Sequence, residues 1–185
     1  MTIGILALQG AVAEHQNMLE QCQVESKLVR TRQDLEGLAG LIIPGGESTA
    51  IKKLLVREEM LLPLKEMVKA GFPVFGTCAG LVLLSQTDSL AGFDGQVVRN
   101  GFGRQQDSFE ESLSVVGLDE PFLGIFIRAP YLESVGSEVK ILAKTDDGRI
   151  VAASQKNVLV TAFHPELTAD PRIHELFINE IVNKK

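Results

Sequence analysis

Short apolar runs alternate with helical spacing through the first half of the chain. Ile3 to Leu8 reads as a buried strand. Ala11 to Cys22 reads as a helix, because Val12, His15, Leu19 and Cys22 recur at intervals of three and four and share a face. Val24 to Val29 is a second strand, and Leu41-Ile42-Ile43 a third, stopped by Pro44-Gly45-Gly46. Glu47 to Ala70 has a helical pattern with a break expected near Pro63. Pro73 to Thr77 is a fourth strand, and Ala79 to Ser85 opens another helix. Strands that are apolar nearly throughout, each followed by a helix, predict a parallel sheet covered on both faces.

After Gln86 the texture changes. Gln96–Arg99, Ser112–Val116, Gly124–Ile127, Val139–Ala143, Ile150–Ala153 and Val158–Phe163 read as strands separated by turn residues, and Asp146-Asp147-Gly148 as a hairpin turn. Pro171 to Asn183 closes the chain as an amphipathic helix with Ile173, Leu176, Phe177 and Ile181 inward. No repeat or linker interrupts this pattern, so residues 1–185 are expected to form one α/β domain.

Composition narrows the partners. With 45% hydrophobic and 23% charged residues the chain reads as globular, and its net charge of −6 disfavours nucleic acid and anionic membrane surfaces. No stretch approaches the ~20 apolar residues of a membrane span. The start of the chain does not read as a secretory leader, and Cys22 and Cys78 do not read as a disulfide framework. These features point to the cytoplasm. No closely spaced Cys/His set suggests a metal.

The candidate chemistry centres on Pro73-Val74-Phe75-Gly76-Thr77-Cys78-Ala79-Gly80-Leu81, which has the form strand, Gly-x-Cys-x-Gly, helix. A residue on so sharp a turn is strained, and glycines on either side let the turn close. The turn also sets the sulfur at a helix amino terminus, which favours thiolate. Cys22, on the apolar stripe of an ordinary helix, is read as core. The base must be one of three histidines. His15 is read as a partly buried packing residue and His174, beside Glu175, as a solvated flank. His164 follows an apolar strand, where catalytic groups gather in open α/β sheets. Pro165 holds it extended, so Glu166 should emerge on its side and orient the imidazole. Taken alone, His-Pro-Glu is also compatible with a plain capped turn.

A second strand-to-helix junction, Leu41-Ile42-Ile43-Pro44-Gly45-Gly46-Glu47-Ser48-Thr49, has Glu47 where a phosphate cradle needs a cation. It suits instead the donation of Gly46 N–H to an oxyanion, with Ala79 N–H as the second donor. Capping of the following helix by Ser48 or Thr49 is compatible with that role.

Six segments then appear in order: Leu8-Gln9-Gly10-Ala11-Val12-Ala13-Glu14-His15, Pro44-Gly45-Gly46-Glu47-Ser48-Thr49, Phe75-Gly76-Thr77-Cys78-Ala79-Gly80-Leu81, Phe102-Gly103-Arg104-Gln105-Gln106-Asp107-Ser108-Phe109, Phe126-Ile127-Arg128-Ala129-Pro130 and Phe163-His164-Pro165-Glu166-Leu167-Thr168. Together they resemble the glutaminase subunits of pyridoxal 5′-phosphate synthase, within the class I, triad-type glutamine amidotransferases. The resemblance implies a three-layer, flavodoxin-like α/β fold with a mixed, mostly parallel central sheet. It implies hydrolysis of L-glutamine to glutamate and ammonia by Cys78, His164 and Glu166, without cofactor or metal. It maps glutamine contacts to Gly46, Glu47, Ser48, Arg104, Ile127 and Arg128, where the two arginines suit either the substrate carboxylate or the ordering of Glu47. It implies a (β/α)8-barrel synthase as partner, in an assembly of twelve synthase and twelve glutaminase chains, with Gln9 and Gly10 at the interface.

Overall fold

A computed structural model describes residues 1–102 and 107–184. Its centre is a nine-stranded sheet, eight strands lying side by side in one path and the ninth pairing off it. The parallel half consists of β2 (Glu25–Val29), β1 (Thr2–Leu6), β3 (Gly40–Ile43), β4 (Val74–Thr77) and β11 (Val158–Thr161). The other half is antiparallel: β10 (Ile150–Gln155), β8 (Tyr131–Val135), β5 (Gly95–Val98) and β9 (Lys140–Lys144). A separate hairpin pairs β6 (Ser108–Leu113) with β7 (Phe122–Ile127).

The apolar strands are buried because both faces are covered. Leu41, Ile43, Val74, Val158 and Val160 pack with Ile51 and Leu55 of α2 (Ser48–Arg57), Leu64 and Val68 of α3 (Leu61–Lys69), and Leu81 to Leu84 of α4 (Ala79–Ser85). The intervening Ile3, Ile5, Ile42, Phe75 and Leu159 pack on the opposite face. Their neighbours there are Leu19 of α1 (Val12–Gln21), Ile173 and Phe177 of α5 (Arg172–Phe177), and the hairpin residues Leu113, Phe122 and Phe126. Alternation along each strand thus feeds two cores and produces three layers.

Several boundaries differ from the sequence pattern for local reasons. The helical segment breaks at Glu58–Met60, with Glu59 at φ 53°, rather than at Pro63. Pro63 falls in the first turn of α3, where a missing N–H costs no helical bond. The strand expected over Ser112–Val116 lies earlier, at Ser108–Leu113, and alternates outward-facing polar side chains with half-buried ones. β8 was not expected, because Leu132 is its only fully buried position. The Asp146-Asp147-Gly148 turn does join two antiparallel strands, β9 and β10, closed by Thr145 N–H donating to Arg149 O at 2.9 Å. In the last helix the buried stripe is His174, Phe177, Ile178 and Ile181, with Ile173 beside it. Leu176 is only half-buried. That rotation overturns the reading of His174 as a solvated flank: its side chain is fully buried.

Two features carry the fold to the site. β4 and β11 run side by side with Thr77 opposite Thr161, so the segments that follow them leave the sheet together. The hairpin is tied to the second of these segments by His164 N–H donating to Ile125 O at 2.8 Å. Phe109 and Phe126, cross-strand partners, stack at 4.5 Å, and Phe126 and Phe122 both pack on Phe163.

Candidate active site

Cys78 stands between β4 and α4 with φ 48° and ψ −97°, a strained conformation for a residue with a Cβ. One hydrogen bond and two tight glycine positions hold the turn. Cys78 N–H donates to Thr161 O at 2.8 Å, tying the turn to β11. A Cβ on Gly76 would lie 2.7 Å from Gly80 C, and one on Gly80 would run into Ile43 O, so both flanking positions exclude a larger side chain. The turn predicted from Gly-x-Cys-x-Gly is therefore present, and its glycines are a matter of space. Cys78 retains 8% of its surface, enough for a reagent to reach a thiolate.

His164 follows β11 and faces the elbow. Its Nδ1 lies 2.7 Å from Glu166 Oε1, and both side chains are buried. The path between them differs from the expected extended segment. Pro165–Leu167 forms a 3₁₀ turn, and that turn brings Glu166 under the imidazole. Burial alone would lower the His164 pKa. Hydrogen bonding to Cys78 and Glu166, reinforced by their charges, outweighs it and raises the value to about 10. The sulfur and the carboxylate on either side of the ring thus favour the charged form of His164.

The Gly45–Gly46 loop forms the roof. Gly45 O accepts from Ala11 N–H at 3.0 Å, which fixes the orientation of the peptide that carries Gly46 N–H. A Cβ on Gly45 would sit 2.8 Å from His164 Nδ1, and nearer still to Cε1, so this backbone lies directly against the imidazole. Gly10, at φ 108°, leaves room for the same carbonyl. Gln9 Oε1 accepts from Glu47 N–H at 2.9 Å, so the β1–α1 turn and the roof are one hydrogen-bonded unit. The cap of α2 is Glu47, rather than Ser48 or Thr49: its carboxylate accepts from Thr49 N–H at 3.0 Å and Ala50 N–H at 2.7 Å. Those bonds hold its pKa below the usual carboxylate range.

Cys78, His164, Gly46, Glu47, Ser48, Ala79, Ile127 and Arg128 line one cavity of about 490 Å³, in the range of small-molecule sites. Gly10 also lines it, and Glu166 lies beneath it. Arg128 is held at φ 43°, with its N–H donating to Asp107 O at 2.6 Å, a second strained residue at the rim. Arg104, expected among the substrate contacts, lies outside the described residues. The sequence reading did not single out Arg99 and Asn100, which line the cavity from the end of β5. Arg99 lies 3.8 Å from Glu47, the position considered for Arg104 or Arg128. Its only sequence signal was a cation directly after Val97-Val98. A larger groove of about 1240 Å³ beside α2 and α3 is lined by residues such as Leu55, Leu62 and Met67 and holds no cysteine or histidine.

Comparison with known proteins bears on what such a site acts upon. Residues 5–183 match the SNO glutamine amidotransferase family. The chain is 50% identical over 190 residues to a protein of Oceanobacillus iheyensis named pyridoxal 5′-phosphate synthase subunit PdxT, covering 99% of this chain and 94% of that one. A PdxT of Listeria monocytogenes is 52% identical over 186 residues, covering 97% and 98%. A crystal structure described as a glutamine amidotransferase superposes with a TM-score of 0.91 at 42% identity, covering 98% of this chain and 99% of its own.

Proposed function

The chain belongs to the SNO glutamine amidotransferase family, and from that premise we propose that Cys78, His164 and Glu166 carry out its chemistry as the glutaminase subunit of pyridoxal 5′-phosphate synthase. It hydrolyses L-glutamine and supplies ammonia to a synthase subunit for vitamin B6 formation, the role that the names of its relatives support. The observation that carries the assignment of the triad is the strained cysteine turned toward an imidazole that is itself bonded to a buried carboxylate at 2.7 Å.

The mechanism follows from where the protons lie. Glu166 occupies Nδ1 of His164, so Nε2 is the nitrogen left to serve Cys78. The thiolate attacks the carboxamide carbon, and the oxygen becomes an oxyanion. The N–H groups of Gly46 and Ala79 stabilise that charge. Nε2–H protonates the departing ammonia as the C–N bond breaks, leaving a γ-glutamyl thioester. The now neutral His164 takes a proton from water, which attacks the thioester and releases glutamate and the thiolate. Glu166 keeps the imidazole oriented and favours its charged form in both halves.

Gly46, Glu47, Ser48, Arg104, Ile127 and Arg128 are the glutamine contacts, the two arginines being suited to its α-carboxylate or to ordering Glu47. Gln9 and Gly10 face the partner. Because Gln9 holds Glu47 N–H, docking there acts on the oxyanion loop. The partner is a (β/α)8-barrel synthase, assembled with the glutaminase as twelve and twelve chains. Residues 1–185 act as one glutaminase domain, in the cytoplasm. No described helix is long and apolar enough to cross a membrane. The test is glutamate release with and without purified synthase. We expect turnover that rises on adding the synthase and is lost in Cys78→Ala while docking persists. Turnover retained by Cys78→Ala overturns the assignment.

A further inference from the structure

All three histidines of the chain converge on one place. Behind the His164–Glu166 pair lie His15 of α1 and His174 of α5, both fully buried. His15 Nδ1 and His174 Nε2 are 2.8 Å apart. His15 Nε2 lies 3.3 Å from Thr77 Oγ1 and 3.7 Å from Glu166 Oε2. Phe75 packs edge-on against both rings, at 6.3 and 5.6 Å. Glu166 Oε1 pairs with His164, while Oε2 is buried with no hydrogen bond among the described residues and has His15 Nε2 3.7 Å away. We propose that His15 is a positioning residue for the triad: its Nε2–H faces the outer oxygen of Glu166 and keeps that carboxylate aimed at His164, and His174 sets the tautomer of His15. The inference rests on the Cys78, His164 and Glu166 reading.

The tautomers follow from counting protons. Burial, with the charges of His174 and His164 adding to it, lowers the His15 pKa well below its ordinary value, and burial lowers that of His174 to about 3. Each neutral imidazole carries one N–H, and the single hydrogen bond joining the two rings uses one of them. If His174 Nε2–H donates to His15 Nδ1, the His15 proton sits on Nε2, toward Glu166 and Thr77. In the reverse arrangement the Nε2 lone pair would face the carboxylate, with the Thr77 hydroxyl 3.3 Å away as its donor. The proton of His174 would then sit on Nδ1, a buried atom with no hydrogen-bond partner among the described residues. Burying an orphaned N–H beside a repulsive pair is the costlier choice. Two N–H groups therefore point in series toward Glu166.

The titratable groups facing His15 are Glu166 and His164 from the segment after β11 and His174 from α5. β4 contributes Thr77, with Cys78 just beyond. Removing the Nε2–H leaves the outer Glu166 oxygen without the donor that faces it, so the carboxylate is free to turn and holds the His164 imidazole less firmly.

An Asn/Gln pair separates this from a packing role, because a Gln amide reaches the Nε2 position whereas an Asn amide reaches only Nδ1. In the complex with the synthase, His15→Asn should lower kcat roughly tenfold and leave KM for glutamine within about twofold. His15→Gln should recover most of kcat. Equal losses of kcat in the two variants, or wild-type kcat in both, overturn the proposal. Cys78→Ala, measured alongside, tells the two failures apart. Turnover surviving there sinks the triad itself, whereas an inactive Cys78→Ala with an indistinguishable Asn/Gln pair sinks only the role of His15.

Discussion

Replacing Gly45 with alanine tests the site with a single methyl group. The added Cβ would lie 2.8 Å from His164 Nδ1 and closer to Cε1, whereas ordinary contact begins at 3.4 Å. The ring has little room to retreat. Its Nδ1 is bonded to Glu166 at 2.7 Å, and its backbone N–H to Ile125 O at 2.8 Å. The loop is equally confined, since Gly45 O is bonded to Ala11 N–H and abuts Gly10. Either the imidazole or the oxyanion loop must shift by a good fraction of an ångström, and a 1 Å misplacement at a reacting centre costs about 100-fold in rate. Overpacking of this kind costs about 1–3 kcal/mol of stability, which a domain of this size survives. Gly45→Ala should therefore remain folded by circular dichroism and thermal melting, dock to the synthase, and lose about two orders of magnitude in kcat. Coupled detection of glutamate in the assembled complex reads the rate. Activity within about threefold of wild type in a folded variant would mean that His164, where it stands, is not the acid–base group, because a factor of three is only ~0.7 kcal/mol.

Other consequences can be checked independently. Cys22, whose pKa is pushed up to about 11 by burial and by the charge of Glu175, should react with iodoacetamide far more slowly than Cys78 at pH 8, and Cys22→Ala should keep near-normal turnover; preferential labelling of Cys22 contradicts this. Glu47→Ala removes a side chain that caps two N–H groups of α2 and should cost about 1 kcal/mol, or about 2–4 °C in Tm; an unchanged Tm contradicts the capping role. Stability should fall on both sides of neutrality. His164, raised to about 10, contributes stability that is complete below about pH 6.5 and is lost as pH rises through 10. His174, lowered to about 3, contributes stability that is complete above about 6.5 and is lost as pH falls toward 3. Denaturant melts across this range check both signs, and a stability that climbs from pH 7 to 10 contradicts the first.

The parts of this molecule that were legible in its sequence are those where sterics leaves few choices. The Gly76-x-Cys78-x-Gly80 turn could be read because its glycines meet backbone atoms of Gly80 and Ile43, an environment that admits no other residue. The parallel strands could be read because burial on both faces writes an unbroken apolar run. The antiparallel half was less legible, since a strand such as Tyr131–Val135 buries one side chain and carries little signal. His174 was misplaced by one position of helical phase: a polar residue beside Glu175 resembles a solvent face, and only its neighbours His15 and Phe75 explain its burial. Arg99 could not be found from sequence because its relation to Glu47 joins the end of β5 to the start of α2 across the fold. Pairing His164 with Glu166 by an extended-chain argument reached the observed partners, although a 3₁₀ turn brings them together.

The central claim is that Cys78 is acylated by glutamine. Mixing the assembled complex with glutamine, quenching in acid within a turnover and measuring the intact mass of the glutaminase chain tests it most directly. A single γ-glutamyl adduct that maps to the peptide containing Cys78, and disappears in Cys78→Ala, is the predicted result. Steady release of glutamate with no adduct at any quench time, together with turnover in Cys78→Ala, or an adduct on another residue, contradicts it.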